Sequence, residues 1–232
     1  MRGSAILCAV SVLLLGCVGA PVRENTATAQ SAPERCAALD SSADVQLGLV
    51  RQMLEQGKPY AGLAHLATLD PAVQESPQAR YLNAELLRHT GRGDEAEARY
   101  RTLLGSCIAG YGHHGLGLLA AGRDLGRAIA ELRAAAALLP VDARVRNDLG
   151  YALLLSGRGE AARREFLTAI ELGDHNRRAS MNLLLLMLYE GDERGAERLS
   201  RQLRLPEEEL ERIRRQARQL QRTPGGEAIG EG

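Results

Sequence analysis

Two adjacent histidines, His113 and His114, come closest in this sequence to a pattern for metal or acid–base chemistry. Adjacent side chains point about 100° apart on a helix, so both cannot easily hold one metal ion. No Cys, Asp or Glu stands near them at the ligand spacing of a zinc site. Ser, His and Asp occur elsewhere, but without a local signature such as a nucleophile elbow. We therefore predict no catalytic, metal or cofactor site, and we expect a surface or groove role for the histidine pair.

The N-terminal segment carries the pattern of an export signal. After Arg2, residues 5–16 are uncharged and apolar, a stretch too short to span a bilayer but typical of a secretory signal peptide. The exit Leu14-Leu15-Gly16-Cys17 resembles the lipobox of bacterial lipoproteins, in which the cysteine is acylated. We predict a signal peptide over residues 1–16 and lipidation of Cys17. The alternative is an ordinary cut near Ala20, which would discard Cys17.

The residues that follow Cys17 have the composition of a tether. Residues 17–42 are rich in Ala, Thr, Ser, Pro and Gln and show no hydrophobic period. No Asp stands beside Cys17, which by resemblance to sorted lipoproteins implies the periplasmic face of the outer membrane. Once the signal is removed and Cys17 is acylated, Cys36 and Cys107 remain. An exported protein favours a disulfide between them, whereas the alternative leaves both unpaired, with Cys107 packed as a small hydrophobic residue.

Composition excludes one class of partner. The chain carries 29 Lys and Arg against 29 Asp and Glu, and aromatic residues are only 3%. Nucleic-acid binding needs a basic surface and, for single strands, rings that stack on bases. We therefore expect no nucleic-acid partner. The abundance of Leu and Ala favours helices, because these side chains lose little entropy there.

An internal repeat is the main structural signal. Gly57, Gly91, Gly122, Gly157 and Gly191 are spaced by 34, 31, 35 and 34 residues, close to the 34-residue period of tetratricopeptide helix pairs. In the copy that begins at Ala143, Gly150 and Ala162 are small where two helices should cross, and Phe166 should fill the space beside them. Other copies begin near Ala43, Pro77, Ile108 and Arg177. We predict an all-α superhelix of about five tetratricopeptide-type helix pairs over residues 43–205.

A different pattern follows the repeats. Pro206 and three glutamates open a segment whose apolar residues recur every three or four positions, at Leu210, Ile213, Ala217 and Leu220. Residues 206–222 are therefore predicted to form a capping helix that closes the array. The Gly-rich residues 223–232 are predicted to be disordered.

Similarity to tetratricopeptide proteins also implies a binding surface, because four places of each first helix line the concave side in that family. The residues at those places, proposed here as a partner-binding groove, are Arg144, Asn147, Tyr151, Leu154, Arg178, Met181, Tyr81 and Arg88. Leu185 and Leu188 fall at equivalent places, but the alternative is that they pack on the capping helix. Apolar residues beside Tyr and Arg suit an amphipathic peptide or helix.

Residues 147–154 (Asn-Asp-Leu-Gly-Tyr-Ala-Leu-Leu) and 176–183 (Asn-Arg-Arg-Ala-Ser-Met-Asn-Leu) resemble the TadD family. These are tetratricopeptide lipoproteins of the Flp (tight adherence) pilus machinery. The resemblance implies a non-enzymatic, pilotin-like scaffold that binds a secretin subunit at the outer membrane. Alternatives are a type IV pilus pilotin, an adaptor for peptidoglycan hydrolases or outer-membrane assembly, or an exported enzyme with a helical shell.

Overall fold

The computed structural model describes residue 36 and residues 38–173 and 177–222. These residues form helices without any strand, which confirms the all-α prediction. The helices, in chain order, are α1 Ser41–Glu55, α2 Pro59–Ala67, α3 Pro71–Gln74, α4 Pro77–His89, α5 Gly93–Arg101, α6 Ala109–Ala120, α7 Leu125–Leu138, α8 Ala143–Leu155, α9 Gly159–Leu172, α10 Arg177–Tyr189, α11 Glu193–Gln202 and α12 Glu207–Arg222. None of these helices combines the length and the apolar composition needed to cross a membrane. The predicted signal peptide, the lipidated Cys17 and the C-terminal tail lie outside the described residues.

The helices pair as the repeat predicts, α1 with α2, α4 with α5, α6 with α7, α8 with α9 and α10 with α11. Four of the five turns place a glycine at positive φ: Gly57, Gly91, Gly157 and Gly191, with φ between 68° and 82°. Only glycine adopts this conformation without steric cost, so these residues fix the ends of the first helices. The turn between α6 and α7 is one residue longer than the other four, and Gly122 there has no positive φ.

The short helix α3 was not expected from the repeat. It begins at Pro71, which presets the φ of a first helical residue, and the Asp70 carboxylate accepts a hydrogen bond from the Ala72 backbone N–H at 2.8 Å. This single turn lies between the first two helix pairs and lengthens their connection.

The crossing of α8 and α9 has the predicted contact. Phe166 is fully buried, and a Cβ added at Gly150 would lie 2.7 Å from two carbons of its ring. Ala162 is likewise fully buried. The neighbouring Arg163 is partly buried and paired with Glu190 of the next helix pair. Arg164 is the exposed arginine of this turn.

The capping helix α12 packs on α10 and buries Leu210, Ile213 and Ala217. These residues join one core cluster that runs from Ile129 in α7 to Ala217. The prediction of a capping helix is confirmed. Leu185 and Leu188 are buried in this same cluster, so the alternative that placed them against α12 describes them better than a groove does.

Candidate functional site

First helices of successive pairs enclose a cleft of 420 Å³, here called the inner cleft. Helix α1 forms one wall, and α4, α6 and α8 contribute the rest. Its principal residues are Leu54, Tyr81, Leu82, Glu85, Tyr111 and Arg144. The rings of Tyr81 and Tyr111 lie 5.2 Å apart between centroids and are tilted by 46°, a favourable aromatic arrangement. The structure therefore brings together Tyr81 and Arg144 of the predicted groove, and adds Tyr111, which sequence reasoning missed.

Arg144 stands at the rim of the inner cleft in a fixed position. Asp142 caps α8 by accepting from the backbone N–H groups of Arg144 and Val145, and the same carboxylate accepts from the Arg144 guanidinium at 2.9 Å. This hydrogen bond raises the pKa of Arg144. Burial alone would raise the pKa of Asp142, but the hydrogen bonds and charge of Arg144 outweigh it and lower that pKa. The side chain of Arg144 is 64% exposed, so its planar face is available to a partner.

Glu85 is a buried carboxylate beneath the inner cleft. It accepts a hydrogen bond from Arg88 at 2.8 Å and another from the Tyr100 hydroxyl. Burial works against ionisation, but Arg88 and these hydrogen bonds outweigh it and hold the pKa of Glu85 below its ordinary value. Burial, together with the negative charge of Glu85, raises the pKa of Tyr81, whose hydroxyl therefore stays neutral. Arg88 neutralises the buried Glu85 carboxylate. Its side chain therefore stabilises the fold more than it serves the predicted groove.

Two residues of the predicted groove are not accessible, and the prediction is wrong for them. Asn147 and Leu154 are each only 2% exposed, because α10 packs across this part of α8. Leu154 lies in the core cluster, and Asn147 exchanges hydrogen bonds with neighbouring polar side chains. Their places in the repeat are correct, but stacking of the next helix pair closes the surface there.

The polar side chains around Asn147 form a chain of hydrogen bonds across three first helices. The imidazole of His114 on α6 is 2.8 Å from the Asp148 carboxylate on α8, Asn147 donates to Asp148 at 2.9 Å, and Asn182 on α10 donates to Asn147 at 2.9 Å. We call His114, Asp148, Asn147 and Asn182 the polar relay. The sequence predicts a surface or groove role for His114 and places Asn147 in the groove. It predicts no role for Asp148 or Asn182.

The two histidines have different acidic partners, as their diverging directions require. His113 lies 2.8 Å from Glu131 of α7, whereas His114 pairs with Asp148. Within residues 38–173 and 177–222, no group of three or more His, Cys, Asp or Glu side chains is placed to hold a metal ion. No acidic residue stands near the pair in the sequence, as expected. In the fold each histidine nevertheless has an acidic partner, because Glu131 and Asp148 lie on later helices.

A second cleft of 430 Å³, here called the terminal cleft, lies between α10 and α12. Its principal residues are Arg177, Arg178, Met181, Leu185, Arg212 and Ile213. It collects Arg178 and Met181 of the predicted groove. Tyr151 is half-buried nearby, and the Gln216 amide of α12 donates to its hydroxyl at 3.4 Å. The predicted groove is thus divided, because the capping helix occupies its C-terminal part.

Cys36 and Cys107 form a disulfide with a Cα–Cα distance of 5.2 Å. The bond ties the segment before α1 to the connection between α5 and α6. Ile108, the residue after Cys107, lines the inner cleft. The disulfide therefore fixes the chain beside the wall that α1 contributes to that cleft.

A curated relative supplies the family. The chain is 39% identical over 214 residues to the TPR repeat-containing protein PA4299 of Pseudomonas aeruginosa, a match that covers 91% of this chain and 82% of the relative. This chain belongs to the tetratricopeptide-repeat family. No family model matches it.

Solved structures share the fold of this tetratricopeptide-repeat protein. MamA residues 41–end from Desulfovibrio magneticus RS-1 is 20% identical with a TM-score of 0.54, over 75% of this chain and 98% of that one. PilF of Pseudomonas aeruginosa is 18% identical with a TM-score of 0.55, over 81% of this chain and 78% of that one. At these identities the likeness concerns the fold alone. Family and fold together make this chain a scaffold for protein–protein interaction.

Proposed function

We propose that this protein is a non-enzymatic, lipid-anchored scaffold at the periplasmic face of the outer membrane. In this proposal it acts as a pilotin-like factor for Flp pilus assembly and binds a segment of a secretin subunit in the inner cleft. The observation that carries the proposal is the inner cleft itself, where the paired rings of Tyr81 and Tyr111 stand beside the Arg144 guanidinium.

The chemistry of the inner cleft fits an amphipathic protein segment. Tyr and Arg are the residue types that most often dominate interface energy, with truncations costing about 2 kcal/mol or more. The Tyr81 hydroxyl stays neutral and can donate a hydrogen bond, while the leucines of α1 and α4 supply an apolar floor. Asp142 already compensates Arg144, so the guanidinium can stack on a partner without presenting an unpaired charge.

The surface continues past Arg144 in a way that suits a long segment. A shallower cleft of 440 Å³ shares Tyr111 and Arg144 with the inner cleft and extends to Val141 and Leu172. Val141 is 75% exposed and Leu172 is 39% exposed. A helix or extended peptide lying over Arg144 would cover these apolar side chains, which removes apolar surface from water.

The anchor is supported by the sequence alone. Cys17 ends the Leu-Leu-Gly-Cys motif, and about twenty residues separate it from Cys36, where the disulfide fixes the chain to the array. A flexible segment of that length spans roughly 25 Å on average. The array could therefore stand clear of the membrane and reach a secretin subunit beside it.

The test compares two double variants of the full-length protein. Tyr111→Ala with Arg144→Ala removes both groups from the inner cleft, and Tyr60→Ala with Arg164→Ala removes the same residue types outside it, where Tyr60 is 72% exposed. We expect the cleft variant to lose capture of the purified secretin while its circular dichroism stays unchanged. The matched variant should bind as the wild type does. Wild-type capture by the cleft variant would place the partner on another surface.

A further inference from the structure

Among the described residues, the arginines of the terminal cleft outnumber the carboxylates that pair with them. Arg177 and Arg212 share one carboxylate, that of Glu209, at 2.9 and 3.4 Å. Arg178 lines the same cleft, is exposed, and has no ion pair among the described residues. Three guanidinium groups thus line the cleft, and among the residues that the structure describes only the Glu209 carboxylate is paired with any of them.

The floor beneath these arginines is apolar. Met181 is partly buried, and Leu185 and Ile213 are 2% and 4% exposed. The volume of 430 Å³ accommodates a few apolar side chains. Cationic rims over apolar floors select partners that combine negative charge with apolar side chains, because each part of the site then meets its complement.

Helix α12 reinforces the positive field. Residues 212–222 contain five arginines and no Asp or Glu. Arg214 is held by Glu211 at 2.6 Å, whereas Arg215, Arg218 and Arg222 are exposed and have no ion pair among the described residues. At 100° per residue these three fall on the side of α12 away from Ile213 and Ala217. They would attract an acidic partner toward α12, while the cleft would decide where it binds.

We propose that the terminal cleft is a second protein-binding site, which takes an acidic peptide segment with apolar side chains. The segment's carboxylates pair with Arg177, Arg178 and Arg212, and its apolar side chains enter the space between Met181 and Ile213. This site uses residues that the inner cleft does not contain, and the proposal does not depend on a secretin as the partner of the inner cleft.

A peptide fits this site better than an anionic membrane does. The apolar residues lie at the bottom of a cleft between two helices, where the flat surface of a bilayer does not reach. A membrane would instead bind the outer arginines of α12, because these lie on the side of the helix away from Ile213 and Ala217. The two partners therefore require different arginines, and this difference provides the test.

The experiment measures fluorescence anisotropy of a short labelled peptide in which glutamates flank leucines. The full chain is compared with Arg178→Glu, which reverses a charge at the cleft, and with Arg218→Glu, which makes the same change in net charge on the outer side of α12. We expect Arg178→Glu to weaken binding by about tenfold or more, as loss of a close charge pair does. Arg218→Glu should weaken it by less than about threefold, since it alters only the long-range field.

Two control peptides separate the contributions. Replacing the glutamates by glutamine should abolish binding, and replacing the leucines by serine should weaken it even though the charge is unchanged. Equal losses for Arg178→Glu and Arg218→Glu would overturn the proposal in favour of diffuse attraction. Absence of peptide binding with Arg218-dependent binding to phosphatidylglycerol vesicles would overturn it in favour of a membrane surface. The Tyr111→Ala, Arg144→Ala variant should lose the inner-cleft partner and still bind the labelled peptide as the wild type does. The two proposals therefore fail separately.

Discussion

Substituting alanine for Gly150 tests the helix crossing on which the repeat assignment depends. An added Cβ there would lie 2.7 Å from two carbons of Phe166, closer than carbon atoms can approach without a shift. The Phe166 ring is fully buried within the core cluster, so it has no open space to enter. Overpacking of this kind typically costs about 1–3 kcal/mol. Leucine at this position adds three further carbons and should cost more.

Gly48 provides a matched control within helix α1. It has no atom within 4 Å of an added Cβ, so Gly48→Ala gains the helix propensity of alanine, about 0.5–1 kcal/mol, without a clash. Gly150→Ala gains the same propensity, so the difference between the two variants isolates the steric cost. For a chain of this size the difference corresponds to a melting temperature about 2–12 °C lower for Gly150→Ala.

Thermal melting followed by circular dichroism measures this difference, and hydrogen exchange locates it. Gly150→Ala should speed exchange in α8 and α9, whereas Gly48→Ala should slow exchange in α1. If both alanine variants change the melting temperature equally, Gly150 does not stand at a close crossing, and the repeat register is refuted.

Three further predictions concern the anchor, the disulfide and a buried charge. Cys17→Ser should leave soluble or unprocessed protein on membrane fractionation, and a mature protein still in the outer-membrane fraction would contradict lipidation. Replacing Cys36 and Cys107 by serine opens a loop of 71 residues and should cost about 4 kcal/mol of unfolding free energy in the chain-entropy model; dithiothreitol should lower the stability of the wild type but not of this variant. The fold lowers the pKa of Glu85, so ionised Glu85 stabilises the protein at pH values above about 4.3, the pKa of this residue in the unfolded chain. This stabilisation is lost as the pH falls through the lower pKa of the folded state. Urea titrations should show the wild type more stable than Glu85→Gln between pH 5 and 7, with the difference shrinking below about pH 4; a difference that does not change with pH would contradict the ionised state.

Helix boundaries were predictable because they depend on local signals. The α4, α8 and α10 helices begin at Pro77, Ala143 and Arg177, where the repeat places them. Glycines in the turns and small residues at the crossing recur with the repeat period. Each is required where it stands, by a positive φ in four of the turns or by a close contact between helices. The repeat does not predict the α3 turn, because Asp70 and Pro71 lie between two repeats, where the periodic pattern does not apply.

Access to the predicted groove was harder to predict, because it depends on what packs over each residue. Asn147 and Tyr151 occupy equivalent kinds of place on α8, yet α10 buries the first and α12 covers part of the second. Arg144, nearer the start of the same helix, stays exposed at the inner cleft. The repeat predicts which side of a helix faces inward, but the docking of later helices decides whether that side remains open.

The polar relay shows that some of this tertiary information is present in the sequence as a spacing. His114 and Asp148 are 34 residues apart, and Asn147 and Asn182 are 35 apart, so each pair joins nearly equivalent places in successive repeats. Helices that stack with a regular offset bring such places together, in the same way that residues three and four apart meet on one helix. A sideways shift of one helix pair would break these hydrogen bonds and leave buried polar groups without partners, which costs free energy. The polar residues spaced by one repeat therefore favour a single register of stacking, and that register is what holds Arg144 beside the Tyr81–Tyr111 pair.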